Sequence, residues 1–267
     1  MIKLILSDVD GTLLRRGEGA FDERVFEVIE SLHARGIRFA AASGRGYADL
    51  NRLFAPVRDK MAFVCSDGAM TISDGEVLEI NSMDRKGVKA LVNDITAMDG
   101  CEFLLYGREK LYIHPKTSEY EKFIVGRYGD NIAYTDDVDN IDDDFLKLSV
   151  YSGNGVESCS NHFEKRWCTT FGLVYNANNW MEFVADGICK VSGVEVLCGK
   201  YGIDMDEVMA FGDGGNDIKL LSAVAYGYAM DYAPDAVKAA AGYETDDVME
   251  TIRREVLREN IFHDSDW

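Results

Sequence analysis

Apolar and polar positions fall in blocks along this chain. Residues 2–6 form a short apolar run, and residues 22–35 then carry Val25, Ile29 and Leu32 at helical spacing before a stop at Gly36. A strand followed by a helix is predicted. A second apolar run at 37–42 ends in Ser43-Gly44-Arg45, and a third at 61–65 ends in Ser66-Asp67-Gly68. The same order returns late in the chain: a strand at 208–211, a helix starting over 218–223, a strand at 225–230, and closing helices from Asp235 and Asp247. Buried strands alternating with amphipathic helices predict right-handed crossovers and a parallel sheet, the α/β class.

The middle of the chain reads differently. Helices are predicted near 85–98, 118–128 and 155–168, and strands near 102–106, 110–114, 145–151, 171–175 and 180–184. Several of these strands are adjacent in sequence, which predicts a mostly antiparallel sheet covered by helices. The expected organisation is a discontinuous α/β core of residues 1–82 and 185–267 with an α+β domain inserted at 83–184. The junctions fall near Ser82 and Asp186-Gly187. The acidic stretch from Asp136 to Asp144 reads as a solvated loop, with metal binding as the alternative. The terminal His263-Asp264-Ser265-Asp266 reads as exposed tail.

Composition narrows the possible partners. With 47% hydrophobic residues, the 267-residue chain has ample core material. A net charge of −19 argues against nucleic acid and anionic membranes, because no basic field is present to displace their counterions. Cys65, Cys101, Cys159, Cys168, Cys189 and Cys198 stand singly, without CxxC or zinc spacing, and read as reduced thiols. Residues 1–6 are too short an apolar stretch for a signal peptide, and no apolar run approaches membrane length. The expectation is a cytoplasmic protein, monomer or homodimer, acting on a small metabolite.

The chemistry gathers at the predicted strand ends. Asp8-Val9-Asp10-Gly11-Thr12 places two carboxylates two residues apart beyond the first strand, and Gly11 permits a tight turn. Phe211-Gly212-Asp213-Gly214-Gly215-Asn216-Asp217 adds two more on a glycine-rich turn. In open α/β sheets ligands bind outside the carboxyl ends of strands, so Asp8, Ser43 and Asp213 point at one crevice. Gathering Asp8, Asp10, Asp213 and Asp217 is unfavourable without a divalent cation, since like charges raise each other's pKa. Hard oxygen donors point to Mg²⁺, and Mg²⁺ beside carboxylates points to phosphoryl transfer.

Asp8-Val9-Asp10-Gly11-Thr12, Ser43-Gly44-Arg45, Lys190 and the 212–217 turn, in that order, resemble the four motifs of haloacid dehalogenase-superfamily phosphatases. The inserted middle resembles the C2B cap of the Cof-like subfamily, and Ala229-Met230-Asp231-Tyr232-Ala233 resembles that subfamily's Ala-Met-Gly-Asn-Ala signature. The resemblance implies a Rossmann-like core and hydrolysis of small-metabolite phosphate monoesters, such as sugar phosphates, through an aspartyl-phosphate. Asp8 would be nucleophile and Mg²⁺ ligand. Asp10 would be general acid and base, with its backbone carbonyl on the metal. Asp213 would ligate directly, and Asp217 would hold a water on the metal or orient its neighbours. Ser43, the Gly44 amide, Lys190 and Asn216 would bind the phosphoryl oxygens. Three positions depart from the pattern: Asp67 in the turn that usually reads Asn-Gly-Ala, Val191 for glycine, and Tyr232 for asparagine. A sugar phosphomutase and a non-enzymatic phospho-aspartate receiver or metabolite sensor are the alternatives. Tyr112, His114, Trp180 and Arg108 are candidates for contacting the leaving group, each with an ordinary core or surface role as the alternative.

Overall fold

The computed structural model of the protein describes residues 1–15 and 20–258. The terminal segment 263–266 lies outside the described residues. The chain forms two compact units, one made of Met1–Glu79 and the chain from Lys190 onward, the other of Ile80–Cys189.

The first stretch contributes β1 (Leu4–Ser7), α1 (Arg24–Ala34), β2 (Arg38–Ala42), α2 (Tyr47–Leu53), β3 (Ala62–Cys65), β4 (Met70–Ser73) and β5 (Glu76–Ile80). All four residues of β1 are buried, as expected of a strand covered on both faces, and this is why it reads as a continuous apolar run. Helix α1 buries Val25, Val28, Ile29 and Leu32, the stripe that its sequence period predicts.

The second unit holds α3 (Arg85–Ala97), β6 (Cys101–Gly107), β7 (Leu111–Ile113), α4 (Ser118–Tyr128), β8 (Ile132–Tyr134), β9 (Phe145–Ser152), α5 (Ser160–Trp167), β10 (Phe171–Ala177) and β11 (Trp180–Ala185). Its sheet runs β10-β11-β9-β6-β7-β8, antiparallel except for the parallel pair β7 and β8. On one face Leu91 and Ile95 of α3 and Phe163 of α5 pack with Phe103, Leu148 and Phe183. Full burial contributes roughly 1.5–3 kcal/mol for each large apolar side chain. Tyr120 and Ile124 of α4 pack with Leu104 and Leu111 in a second cluster.

Polar groups inside this unit are paired. Lys147 Nζ lies 2.9 Å from Glu182 Oε2, and Glu102 accepts the Lys116 and Thr117 backbone N–H groups just before α4. Asp143, in the acidic stretch, accepts the backbone N–H groups of Arg108 and Glu109 and the Tyr112 hydroxyl. It anchors a turn. Trp180 packs against Tyr151 with its ring tilted by 56°, the centroids 4.8 Å apart.

The chain then returns with α6 (Lys190–Tyr201), β12 (Val208–Gly212), α7 (Ile218–Ala223), β13 (Tyr226–Met230), α8 (Asp235–Ala240), β14 (Tyr243–Thr245) and α9 (Val248–Ile252). The sheet of the first unit runs β14-β13-β12-β1-β2-β3-β4-β5. Neighbours from β14 through β3 are parallel, and β4 turns back antiparallel on β3. Strand order grows outward from β1 to β3, then restarts at β12 on the other side of β1. The reversal between β1 and β12 is the place where open α/β sheets bind ligands. Helix α6 packs close to the β3–β4 pair. A Cβ on Gly193 would lie 2.9 Å from Thr71 Oγ1, so a bare Cα is what admits the helix this closely.

Candidate active site

Asp8 leaves β1 at the reversal, and its N–H donates to Phe211 O of β12 at 2.9 Å. Gly11 follows with φ +93, and a Cβ there would fall on the Asp213 carboxylate. A side chain is excluded on both counts. Thr12 Oγ1 donates to Asp213 Oδ1 at 3.2 Å, so this turn also fixes the carboxylate at the end of β12.

Asp217 closes the 212–217 turn. Its Oδ2 accepts the N–H groups of Asp213 and Gly214 at 3.1 and 2.9 Å. Its Oδ1 accepts from Lys190 Nζ at 2.6 Å, and the same ammonium donates to Asp8 Oδ1 at 2.6 Å. Oxygens of Asp8, Asp213 and Asp217 lie within 4.8 Å of one another, and all three residues are buried.

Three buried carboxylates face one buried ammonium. Burial pushes the Asp8 carboxyl well above its usual value; Lys190 pulls it down, while Asp217 and Asp213 push it further up. For Lys190, burial acts to lower the pKa, but the carboxylates of Asp217, Asp8 and Asp67 outweigh it and keep the group protonated. Negative charge remains in excess, and the donors are hard oxygens. A small divalent cation fits both features. Among the described residues this is the one group of three or more such side chains close enough to share an ion, and it does not include the acidic stretch at 136–144.

The Asp10 carboxylate stands outside this group. It pairs through both oxygens with Arg45, at 2.6 Å from Nε and 2.5 Å from Nη2, and its side chain is 48% exposed. Its expected metal contact was the backbone carbonyl, so the side-chain position leaves that expectation standing. Ser43 is buried at the end of β2, and its Oγ accepts the Arg45 N–H at 3.2 Å. Gly44 lies within the same turn. Asn216 Nδ2 donates to Asp67 Oδ1 at 2.8 Å. Asp8, Asp213, Asp217 and Lys190 thus come together as a buried cluster, while Asp10 and Asn216 sit beside it on partners that sequence reading had not assigned. Arg45 was visible as the third residue of its motif, but nothing in one sequence shows which carboxylate it meets. Of the departures from the motif pattern, Tyr232 donates its hydroxyl to the Gly11 carbonyl.

A family model for haloacid dehalogenase-like hydrolases matches residues 5–251. The chain belongs to the haloacid dehalogenase-like hydrolases. It is 30% identical over 243 residues to the Escherichia coli 5-amino-6-(5-phospho-D-ribitylamino)uracil phosphatase YbjI, covering 91% of this chain and 90% of that one. It is 26% identical to the Bacillus subtilis 5-amino-6-(5-phospho-D-ribitylamino)uracil phosphatase YcsE, covering 92% and 90%. A solved structure from Eubacterium rectale superposes with a TM-score of 0.86 at 26% identity, covering 95% of this chain and 98% of that one. The family, the α/β fold class and the phosphatase assignment expected from the motifs all hold. Among the described residues no helix is long and apolar enough to cross a membrane.

Proposed function

We propose that this chain is a Mg²⁺-dependent phosphatase that hydrolyses small sugar or polyol phosphate monoesters through an aspartyl-phosphate on Asp8. The observation that carries the reading is the buried trio of Asp8, Asp213 and Asp217 around Lys190 at the sheet's reversal point, with Asp10 two residues beyond the nucleophile. Asp8, Asp213 and the Asp10 carbonyl would hold Mg²⁺, with Asp217 supporting from behind. Bound Mg²⁺ supplies charge neutralisation at the phosphoryl oxygens.

Lys190 holds Asp8 Oδ1, and Oδ2 accepts no hydrogen bond among the described residues. One Asp8 carboxylate oxygen attacks phosphorus as the P–O bond to the leaving alcohol breaks, and the other would remain for the metal. Asp10, turned away from Arg45, gives its proton to that leaving oxygen. As a carboxylate it then takes a proton from the water that attacks the aspartyl-phosphate. Phosphate leaves and Asp8 is regenerated. Ser43, the Gly44 amide, Lys190 and Asn216 donate to the phosphoryl oxygens.

The substrate class rests on the two relatives named for a ribityl phosphate. The inserted module, expected at 83–184, serves as the cap in this proposal, and the enzyme works in the cytoplasm as a monomer or homodimer. The test is phosphate release from p-nitrophenyl phosphate and from a panel of sugar and polyol phosphates. Asp10→Asn should lower turnover by about 10²–10⁴-fold. Unchanged hydrolysis by that variant, or a wild type that releases almost no phosphate and instead needs a sugar bisphosphate, would count against this reading.

A further inference from the structure

Beyond β3 the chain makes a buried turn, Ser66-Asp67-Gly68. Ser66 and Asp67 take φ values of 49 and 58, two successive left-handed residues without glycine. Such backbone persists only where its surroundings over-determine it. Here Ser66 N–H donates to Arg45 O at 2.9 Å, and Asp67 N–H donates to Ser43 O at 3.0 Å. Both bonds hold the turn that carries Ser43 and Gly44. The Ser66 hydroxyl is buried with no hydrogen-bond partner among the described residues, so it contributes nothing to that hold.

The Asp67 carboxylate reaches the other way, to Asn216 Nδ2 at 2.8 Å. Asn216 Oδ1 lies on the far side over Gly214, where a Cβ would come within 2.7 Å of it. A carboxylate only accepts hydrogen bonds, so the Asn216 amide must turn its NH₂ toward Asp67. One N–H is spent on Asp67, and the planar amide then fixes the direction of the second. A neutral amide at position 67 could still accept that bond through its oxygen, but would not by itself exclude the flipped orientation of Asn216.

We propose that Asp67 is a positioning residue for phosphoryl transfer: it sets the Asn216 amide and, through its strained turn, the Ser43–Arg45 loop in a single arrangement before substrate arrives. This rests on Ser43, Gly44 and Asn216 acting as phosphoryl donors. Because preset donors act mainly on the transition state, the effect falls on kcat rather than on KM.

The experiment compares Asp67→Gly, Asp67→Asn, Asn216→Ala, the Asp67→Gly/Asn216→Ala double variant and Asp8→Asn on p-nitrophenyl phosphate. Glycine takes the left-handed backbone freely, so Asp67→Gly folds with an unchanged or higher Tm. Its kcat falls roughly 10–100-fold while KM moves less than about threefold. Asp67→Asn, which can still accept the Asn216 bond, recovers kcat to within about fivefold of wild type. The double variant is no slower than Asn216→Ala alone, because glycine keeps the backbone bond to Ser43 O and the carboxylate that it removes acts through Asn216. Wild-type kcat in Asp67→Gly, or losses that multiply fully in the double variant, would overturn the proposal. Full turnover by Asp8→Asn would instead remove the phosphatase mechanism beneath it, a distinguishable failure that overturns the proposal as well.

Discussion

Replacing Asp8 with asparagine exchanges one oxygen for an amide nitrogen and takes a single charge out of the buried cluster. That charge meets those of Asp213 and Asp217 with oxygens within 4.8 Å. At an effective dielectric of about 20 each repulsion is at least about 3.5 kcal/mol, or about 7 kcal/mol for the two. The Lys190 ammonium at 2.6 Å opposes them with about 6 kcal/mol on the same scale. These terms nearly cancel, so burial decides, and removing a carboxylate from water costs several kcal/mol. Uptake of a proton limits that penalty, and asparagine can still accept from Lys190. Asp8→Asn should therefore raise stability in EDTA at pH 7 by about 1–2 kcal/mol, a Tm increase of roughly 2–8 °C. It should also lower turnover by more than about 10⁴-fold. Thermal unfolding followed by circular dichroism, with and without Mg²⁺, reads the first effect, and p-nitrophenyl phosphate hydrolysis reads the second. Mg²⁺ should raise the wild-type Tm more than that of the variant. A variant less stable than wild type in EDTA would refute the charge accounting.

Lys190→Met leaves the Asp8 and Asp217 carboxylates buried without their ammonium and should cost about 3–5 kcal/mol in urea unfolding without metal; a loss below about 1 kcal/mol would contradict the pairing. Gly11→Ala places a methyl group against the Asp213 carboxylate at a φ of +93 and should cut turnover by at least about tenfold while costing about 1–3 kcal/mol; near-wild-type kinetics would mean that the turn is looser than described. The Asp8 carboxyl has a higher pKa in the folded chain than its usual 3.8, so its contribution favours folding below the usual carboxylate range and is lost as pH rises through the folded value. Metal-free Tm should therefore fall on going from about pH 4.5 to pH 7 in wild type more than in Asp8→Asn, and equal slopes would rule out this contribution. EDTA should abolish turnover and Mg²⁺ restore it, with Ca²⁺ a poor substitute because it takes a looser, higher coordination; full activity after exhaustive chelation would exclude the metal.

Much of the core was legible because β1, β2, β3, β12 and β13 are buried, and short apolar runs ending in polar turns are their signature. Helix α6 was not predicted. Its sequence, KVSGVEVLCGKY, mixes two glycines with β-branched residues, and what places it is packing at Gly193 rather than local propensity. The β4–β5 stretch was also missed. Thr71 and Ser73 are polar yet buried, and β5 alternates too weakly to stand out. At the site, the approach of Asp8, Lys190, Asp213 and Asp217 followed from motif order and strand ends. The pairings Arg45 with Asp10 and Asp67 with Asn216 did not, because each joins residues from separate turns whose meeting depends on sheet order. Tyr232, a departure from the motif pattern, shows its partner only in the fold, as a donor to the Gly11 carbonyl.

The missing side chain at Gly193 governs more than helix packing. Lys190 lies three residues earlier, about one turn up the same rigid rod, so the seat of α6 against Val64 and Thr71 sets how far the ammonium extends toward Asp8. Lifting the rod by the width of one methyl would draw the cation back from both of its carboxylates without altering any residue that touches them. The reach of the ammonium is metered by empty space elsewhere in the molecule.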